Sequence, residues 1–242
     1  MYIKEYERWL TNTVDDADLV PELQAIQAND DEIKDRFAIN LSFGTAGLRG
    51  VLGAGTNRMN IYTVRKATQG LANFLLATQQ NPSVAISFDS RIKSDLFSQQ
   101  AAAVLAANNI KVYIYNTLQP VPLLSFAVRH LGTSAGIMIT ASHNPAKYNG
   151  YKAYGPDGCQ MTTASADAVF AEIEKLDIFS DVKILPFEEG LASGIISYIS
   201  AETIEAYYQN VEAQSIRPGL CKTASLKLVY SPLNGAGNLP VR

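Results

Sequence analysis

The stretch Ala135-Gly136-Ile137-Met138-Ile139-Thr140-Ala141-Ser142-His143-Asn144-Pro145 decides how this chain is read. Its first five residues are apolar without interruption. Such a run fits a strand buried on both faces, in a parallel sheet covered by helices on each side. The polar residues that follow put Ser142 on a loop at the carboxyl end of that strand, and Asn144-Pro145 turns the chain out of the sheet. Ligands of open α/β sheets gather at that end. The next stretch, Tyr148-Asn149-Gly150-Tyr151-Lys152, places a cation ten residues after the serine.

Working outward, Val84–Phe88 reads as a second strand, ending in Asp89-Ser90-Arg91. Ser94 is expected to cap a helix that turns Phe97, Ala101, Val104 and Leu105 inward. Lys111–Tyr115 reads as a strand and Pro122–Val128 as a short helix. Before them, Thr63–Gln79 has Val64, Ala67, Leu71, Phe74 and Leu75 on one helical face, and Asn81-Pro82 ends it. After the serine loop, Tyr151–Tyr154, the turn Gly155–Gly158 and Cys159–Met161 predict a hairpin at a sheet edge, followed by a helix over Ala164–Lys175. The alternation predicts an α/β fold: a mainly parallel mixed sheet with helices on both faces.

The flanks read differently. Residues 1–40 are acid-rich and predict a helical extension, with Ile3, Tyr6 and Leu10 on one face and Ile33 and Phe37 a helical turn apart. Residues 41–60 are Gly-rich and predict loop. Gly190–Gly194 marks a boundary region. A helix over Thr203–Ala213 and a strand over Leu226–Tyr230 then suggest the start of a second, similar domain. One helix and one strand cannot bury a core. The expected organisation is therefore an extension over 1–40, a first domain over 41–199 and an incomplete second domain over 200–242.

Hydrophobic residues make up 47% of the chain and charged ones 18%, which suits a packed core rather than disorder. The formal net charge is −3 and no dense Lys/Arg block occurs, which argues against a nucleic-acid partner. No apolar run approaches the ~20 residues that span a bilayer. The charged, amphipathic start is not a signal peptide, so a cytoplasmic location is expected. Cys159 and Cys221 lie far apart, as reduced thiols would.

Ser142 beside His143 invites a serine-hydrolase reading. Adjacent side chains usually point apart, no Gly-x-Ser-x-Gly elbow surrounds Ser142, and His130 reads as a structural residue at a helix end. Phosphoryl transfer fits better, because it depends on positioning and charge neutralisation. Taken alone, Lys152 reads as a solvated lysine, and Asp89-Ser90-Arg91 as a helix cap with a structural ion pair.

Thr140–Pro145 resembles the phosphoserine loop of the α-D-phosphohexomutases, the phosphoglucomutase/phosphomannomutase family. Phe43-Gly44-Thr45-Ala46-Gly47-Leu48-Arg49-Gly50 resembles that family's Gly-Thr-x-Gly-x-Arg-Gly segment. The resemblance implies a phosphoglucomutase-type enzyme that interconverts hexose 1-phosphate and hexose 6-phosphate through phospho-Ser142 and a 1,6-bisphosphate. It implies catalytic roles for Ser142, Lys152, Arg49 and His143, and phosphate or substrate binding by Thr45, Arg49, Ser142, His143, Asn144 and Lys152. It further implies Mg2+ held through the phosphate on Ser142, and glucose 1,6-bisphosphate as intermediate and activator. The family's Asp-Gly-Asp-x-Asp-Arg metal loop does not occur here. The missing partners are then the C-terminal domains of the same enzyme, and the chain alone is expected to be inactive. The extension suggests the phosphoglucomutase/phosphopentomutase branch. Phosphopentomutase or phosphomannomutase specificity, or a non-catalytic sugar-phosphate-binding module, are the alternatives. Preferred sugar and oligomeric state stay open.

Overall fold

The computed structural model describes residues 2–44 and 47–242, apart from the side chain of Cys221. Six strands form one sheet: β1 (Gly47–Val51), β2 (Ser83–Phe88), β3 (Lys111–Ile114), β4 (Ala135–Ile139), β5 (Tyr148–Tyr154) and β6 (Ile196–Tyr198). Their spatial order is β1-β5-β4-β2-β3-β6. The β4–β2, β2–β3 and β3–β6 pairs are parallel. Both pairs made by β5 are antiparallel. The sheet is thus mainly parallel, with β5 running against its neighbours.

The helices are α1 (Tyr2–Asn12), α2 (Leu19–Ala25), α3 (Asp30–Phe37), α4 (Ile61–Thr78), α5 (Ser94–Ala107), α6 (Val121–His130), α7 (Thr163–Glu174), α8 (Phe187–Ala192), α9 (Ala201–Glu212) and α10 (Asn238–Val241). Strand side chains alternate between two cores. Val84, Ile86, Ile137, Ile139, Tyr151 and Ala153 pack with residues of α1–α5 and α7. Ala85, Met138 and Tyr154 pack with Leu123, Leu124, Ala127 and Val128 of α6. Every residue of β4 is buried, as its unbroken apolar run requires. Asn60 starts α4 with a reciprocal cap: its Oδ1 accepts from the Thr63 amide (3.0 Å), and Thr63 Oγ1 accepts from the Asn60 amide (3.1 Å). Such a cap contributes about 1 kcal/mol.

Several local expectations need correction. The Gly-rich stretch before residue 60 contains β1, whose register pairs Arg49 with Gly150 and Gly47 with Lys152. That pairing makes β5 an interior strand, beginning at Tyr148 rather than Tyr151. The expected edge hairpin shrinks to a bridge between Tyr154 and Gln160. Lys93, not Ser94, is the N-cap of α5, and Ser94 is its first helical residue. Leu226–Tyr230 forms no strand; Leu226, Leu228 and Val229 are 74%, 78% and 95% exposed, with no neighbouring strand to pair with among the described residues. Gly190 is buried within α8, which packs on α5, and β6 follows.

The extension docks through aromatic rings. Its inward stripe on α1 is Tyr6 and Trp9, while Ile3 and Leu10 are 48% and 38% exposed. Trp9 is fully buried and meets Phe37, Tyr62 and Phe179 edge-on at 5.4–5.7 Å. That socket turns the face from Ile3, Tyr6 and Leu10, as the periodicity predicted, to Tyr6 and Trp9. Arg8 lies over the Phe179 ring and pairs with Asp177 after α7. Burial works against the Asp177 charge, but hydrogen bonds from Arg8 and from the Ser180 and Phe179 amides outweigh it and hold the carboxyl below the ordinary range. A depressed folded pKa adds stability above the ordinary value of about 4, and that stability is lost as pH falls through the lower folded value. Asp177→Asn should therefore lower the melting temperature at pH 7, and the gap to wild type should narrow as pH drops below about 4. The pair is partly exposed, so the neutral-pH cost should stay near 1 kcal/mol. Thermal melts across pH check both.

Candidate active site

The connections around β2 create the crevice. The chain leaves β2 through α5 to β3 on one side, then returns through α6 to β4 on the other. At such a reversal the carboxyl ends of neighbouring strands open a ligand site. Here the ends are Asp89-Ser90-Arg91 after β2 and Thr140–Pro145 after β4.

Ser142 has φ +54°, a left-handed conformation costing a residue with a Cβ roughly 1–2 kcal/mol. Two devices hold it. First, Thr140 Oγ1 donates to Asp89 Oδ2 (2.5 Å) and accepts from the Ser142 amide (3.0 Å). Second, the Arg91 guanidinium sits under the loop. Its Nη2 donates to the carbonyls of Ser142 (2.6 Å) and Asn144 (2.5 Å), and its Nη1 to those of Pro145 (3.2 Å) and Tyr148 (2.9 Å). Asp89 Oδ1 accepts from the Arg91 amide and from Ser94 Oγ, both at 3.1 Å. The backbone is thereby fixed while the Ser142 side chain faces solvent.

Gly150 lets the strands close around this loop. Its carbonyl accepts from the Thr140 amide (3.0 Å). A Cβ on Gly150 would lie 2.7 Å from the Thr140 carbonyl oxygen and 2.8 Å from that of Leu48. The β1–β5 register sets Arg49 and Lys152 diagonally on one sheet face, opposite to that of Leu48 and Tyr151. Arg49 is exposed and Lys152 half-buried. Lys152 pairs with Met138, one of the residues beside the crevice. Beneath them, burial pushes the Tyr151 phenol above its ordinary range, so it stays neutral.

His143 Nδ1 lies 3.2 Å from Ser142 Oγ, so these neighbours do not point apart as expected. Among the described residues, no carboxylate hydrogen-bonds His143, so the third member of a hydrolase triad is absent. His130 stacks on Phe126 at 5.0 Å, in keeping with a structural role. Thr45 lies outside the described residues.

A cleft of about 580 Å³ opens at the crevice, lined by Asp89, Arg91, Pro120, Met138, Ser142 and Asn144, and on its far side by Asn234-Gly235-Ala236. Arg49, His143 and Lys152 stand outside this lining. A second cleft of about 580 Å³ lies beneath α1, remote from the Ser142 loop. Of these two clefts, the first contains the serine and the ends of β2 and β4.

Residues 40–178 match the family described as phosphoglucomutase/phosphomannomutase, alpha/beta/alpha domain I. The chain belongs to this family. It is 41% identical to a phosphoglucomutase of Staphylococcus epidermidis over 81% of this chain and 35% of the relative. It is 40% identical to a phosphoglucomutase of Staphylococcus aureus over 84% and 36%, respectively. A crystal structure from Thermus thermophilus, assigned to the phosphomannomutases, superposes with a TM-score of 0.61 at 29% identity, over 72% of this chain and 36% of that one. The parafusin structure from Paramecium superposes with a TM-score of 0.63 at 17% identity, over 82% of this chain and 40% of that one, which speaks for the fold alone. The chain spans about a third of the length of the curated relatives it matches.

Within this phosphohexomutase domain, sequence reasoning undervalued Asp89, Arg91 and Thr140. The Arg91–Asp89 ion pair does exist, but at 3.9 Å, and the four loop carbonyls are the closer partners. The available signal was an Asp-x-Arg at the end of one strand and a Thr at the end of another. Reading it required knowing that β2 and β4 are neighbours. Thr140→Val should cost about 1–3 kcal/mol, because it leaves the Ser142 amide and Asp89 Oδ2 without their partner. Thr140→Ser should restore most of that loss. Urea denaturation of the three proteins checks it.

Proposed function

We propose that this chain is the phosphoserine domain of a phosphohexomutase that interconverts hexose 1-phosphate and hexose 6-phosphate. The observation that carries the reading is Ser142. Its hydroxyl is exposed on a backbone locked by Arg91 and Thr140, at the strand ends where ligands gather, in a chain about 40% identical to phosphoglucomutases.

Rigid presentation suits phosphoryl transfer, where alignment of donor, phosphorus and acceptor accounts for much of the rate. In the forward half-reaction, the bond between phosphorus and Ser142 Oγ breaks as a bond to the sugar O6 forms, and the O6 proton leaves to a base. Lys152, on the same sheet end, is the residue we assign to proton transfer. The product is a 1,6-bisphosphate, glucose 1,6-bisphosphate where the sugar is glucose. After the sugar reorients, the phosphoryl group on O1 passes to Ser142 Oγ and the other hexose monophosphate leaves. Arg49 offers a planar guanidinium for phosphate oxygens. His143 Nδ1 orients the serine oxygen. Asn144 lines the cleft, and its side-chain oxygen is buried with no hydrogen-bond partner among the described residues; a turn of this amide would offer an acceptor to a sugar hydroxyl. Thr45 is assigned to phosphate binding through the segment that precedes Arg49.

The family implies Mg2+, but the described residues do not make a site for it. Among the described residues no group of three His, Cys, Asp or Glu side chains could hold a metal. Both Asp89 oxygens are occupied by Thr140, Ser94 and the Arg91 amide. A phosphoryl oxygen on Ser142 would be one ligand; the others must come from protein outside this chain, as must the loops that choose the sugar. Glucose is our assignment over mannose or a pentose, because the two staphylococcal relatives, at 41% and 40% identity, are phosphoglucomutases, whereas the Thermus structure assigned to the phosphomannomutases is 29% identical. No helix among the described residues is long and apolar enough to cross a membrane. A cytoplasmic location is our assignment, because hexose phosphates are the proposed substrates.

Peptide mass analysis of the protein purified from its native cells should find one phosphoryl group, on Ser142, and none in a Ser142→Ala variant. A coupled assay of the isolated 242-residue chain should show negligible conversion of glucose 1-phosphate to glucose 6-phosphate. An unmodified Ser142 in native protein would favour a non-catalytic sugar-phosphate-binding module. Robust turnover by the isolated chain would contradict the dependence on further domains.

A further inference from the structure

We infer that Lys93, gripped by Asp16 and Asp18 of the N-terminal extension, is a positioning residue for the Ser142 loop. Lys93 has φ +62°, and a side-chain-bearing residue adopts that conformation only when its surroundings enforce it. Its Nζ lies 2.9 Å from Asp18 Oδ2 and 3.4 Å from Asp16 Oδ2. Asp16 is 8% exposed, so this part of the pair is largely shielded from water.

The segment holding these carboxylates is itself anchored. The Val14 and Asp15 amides donate to the Tyr62 hydroxyl at 3.0 Å, and Arg65 of α4 donates to Asp15 Oδ2 at 2.5 Å. The Asp18 amide donates to Asp16 Oδ1 at 3.1 Å. The extension thus presents two negative charges from a fixed frame.

On the other side of Lys93, hydrogen bonds continue to the serine. Lys93 closes the turn between β2 and α5, and its carbonyl accepts from the Phe97 amide. The neighbouring Ile92 carbonyl accepts from Asn149 Nδ2 (2.9 Å), which also donates to Ser94 Oγ (3.0 Å). Ser94 Oγ donates to Asp89, whose other oxygen holds Thr140, and Thr140 holds the Ser142 amide. Arg91, two residues before Lys93, carries the four loop carbonyls. Every member of this chain depends on the path of residues 89–94, and Lys93 is its strained point. The extension therefore sets the serine loop as well as packing on the domain.

The grip of the extension on the loop follows from geometry alone; its consequence for phosphoryl transfer rests on the proposed function. The test is amide hydrogen exchange by NMR on the 242-residue chain, in four forms: wild type, the double variant Asp16→Asn/Asp18→Asn, Lys93→Gly and Lys93→Arg. Glycine tolerates the left-handed backbone, so Lys93→Gly removes the grip without adding strain. The expected result is exchange about tenfold faster at the Ser142 and Asn144 amides in the double variant and in Lys93→Gly. Amides of β4 and α4 should be unchanged, and Lys93→Arg should keep wild-type protection. Unchanged Ser142 protection in both loosened variants would overturn the inference. So would equal acceleration at every amide, which would make the pair a global staple only. The exchange readout does not depend on catalysis. Native protein lacking phosphate on Ser142 would remove the functional reading and leave the exchange result to be judged by itself.

Discussion

A guanidinium beneath a loop of carbonyls is the interaction on which the site depends. The serine loop leaves β4 with its carbonyls converging, and convergent carbonyls repel unless a cation lies between them. Arg91 supplies that cation and meets four of them. Hydrogen bonds to a charged group contribute about 1.5–3 kcal/mol each. Two of them exceed the roughly 1–2 kcal/mol cost of the left-handed backbone at Ser142. The strain is therefore held by its neighbours and needs no ligand. Lysine would carry the charge but not the fork, so it could not reach both sides of the loop.

The layers of the fold were legible because the strongest signals were local. Five apolar residues in β4, the amphipathic run of α4 and the regular alternation of strands with helices each point to a sheet covered on both faces. The errors occur where tertiary context overrides a local pattern. β1 is short, Gly-rich and reads as loop; it becomes a strand because Gly47 and Gly150 let it lie close against β5. The buried face of α1 was read correctly at Tyr6 and missed at Trp9, because an aromatic socket formed by Phe37, Tyr62 and Phe179 takes Trp9 in place of Ile3 and Leu10. Leu226–Tyr230 has strand propensity but no adjacent edge to pair with among the described residues, and propensity alone does not make a strand.

The site was legible as a set of residue types and illegible as a framework. Ser142 stands out as a hydroxyl on a loop at a strand end; Arg49, Lys152 and Asn144 are marked by the family resemblance, since taken alone Lys152 reads as a solvated lysine. The β1–β5 register then sets Arg49 and Lys152 on one sheet face, and the β5–β4 pairing sets Lys152 beside Met138 of the cleft lining. Asp89, Thr140 and Arg91 carry no such mark, since each has an ordinary role at a strand end or helix start. Their importance follows from β2 and β4 being neighbours, which is a property of the whole topology. The division is physical: groups that meet a ligand are chosen for chemistry, whereas groups that hold them are chosen for geometry.

Arg91 fixes the conformation from which Ser142 is presented. A crystal structure of the Arg91→Lys variant beside that of the wild type tests it most directly. The variant should keep β2, β4 and α5 in place while residues 141–146 depart from the wild-type path and Ser142 leaves the left-handed region. A variant whose serine loop superposes on the wild type, with Ser142 still near φ +54°, would contradict it.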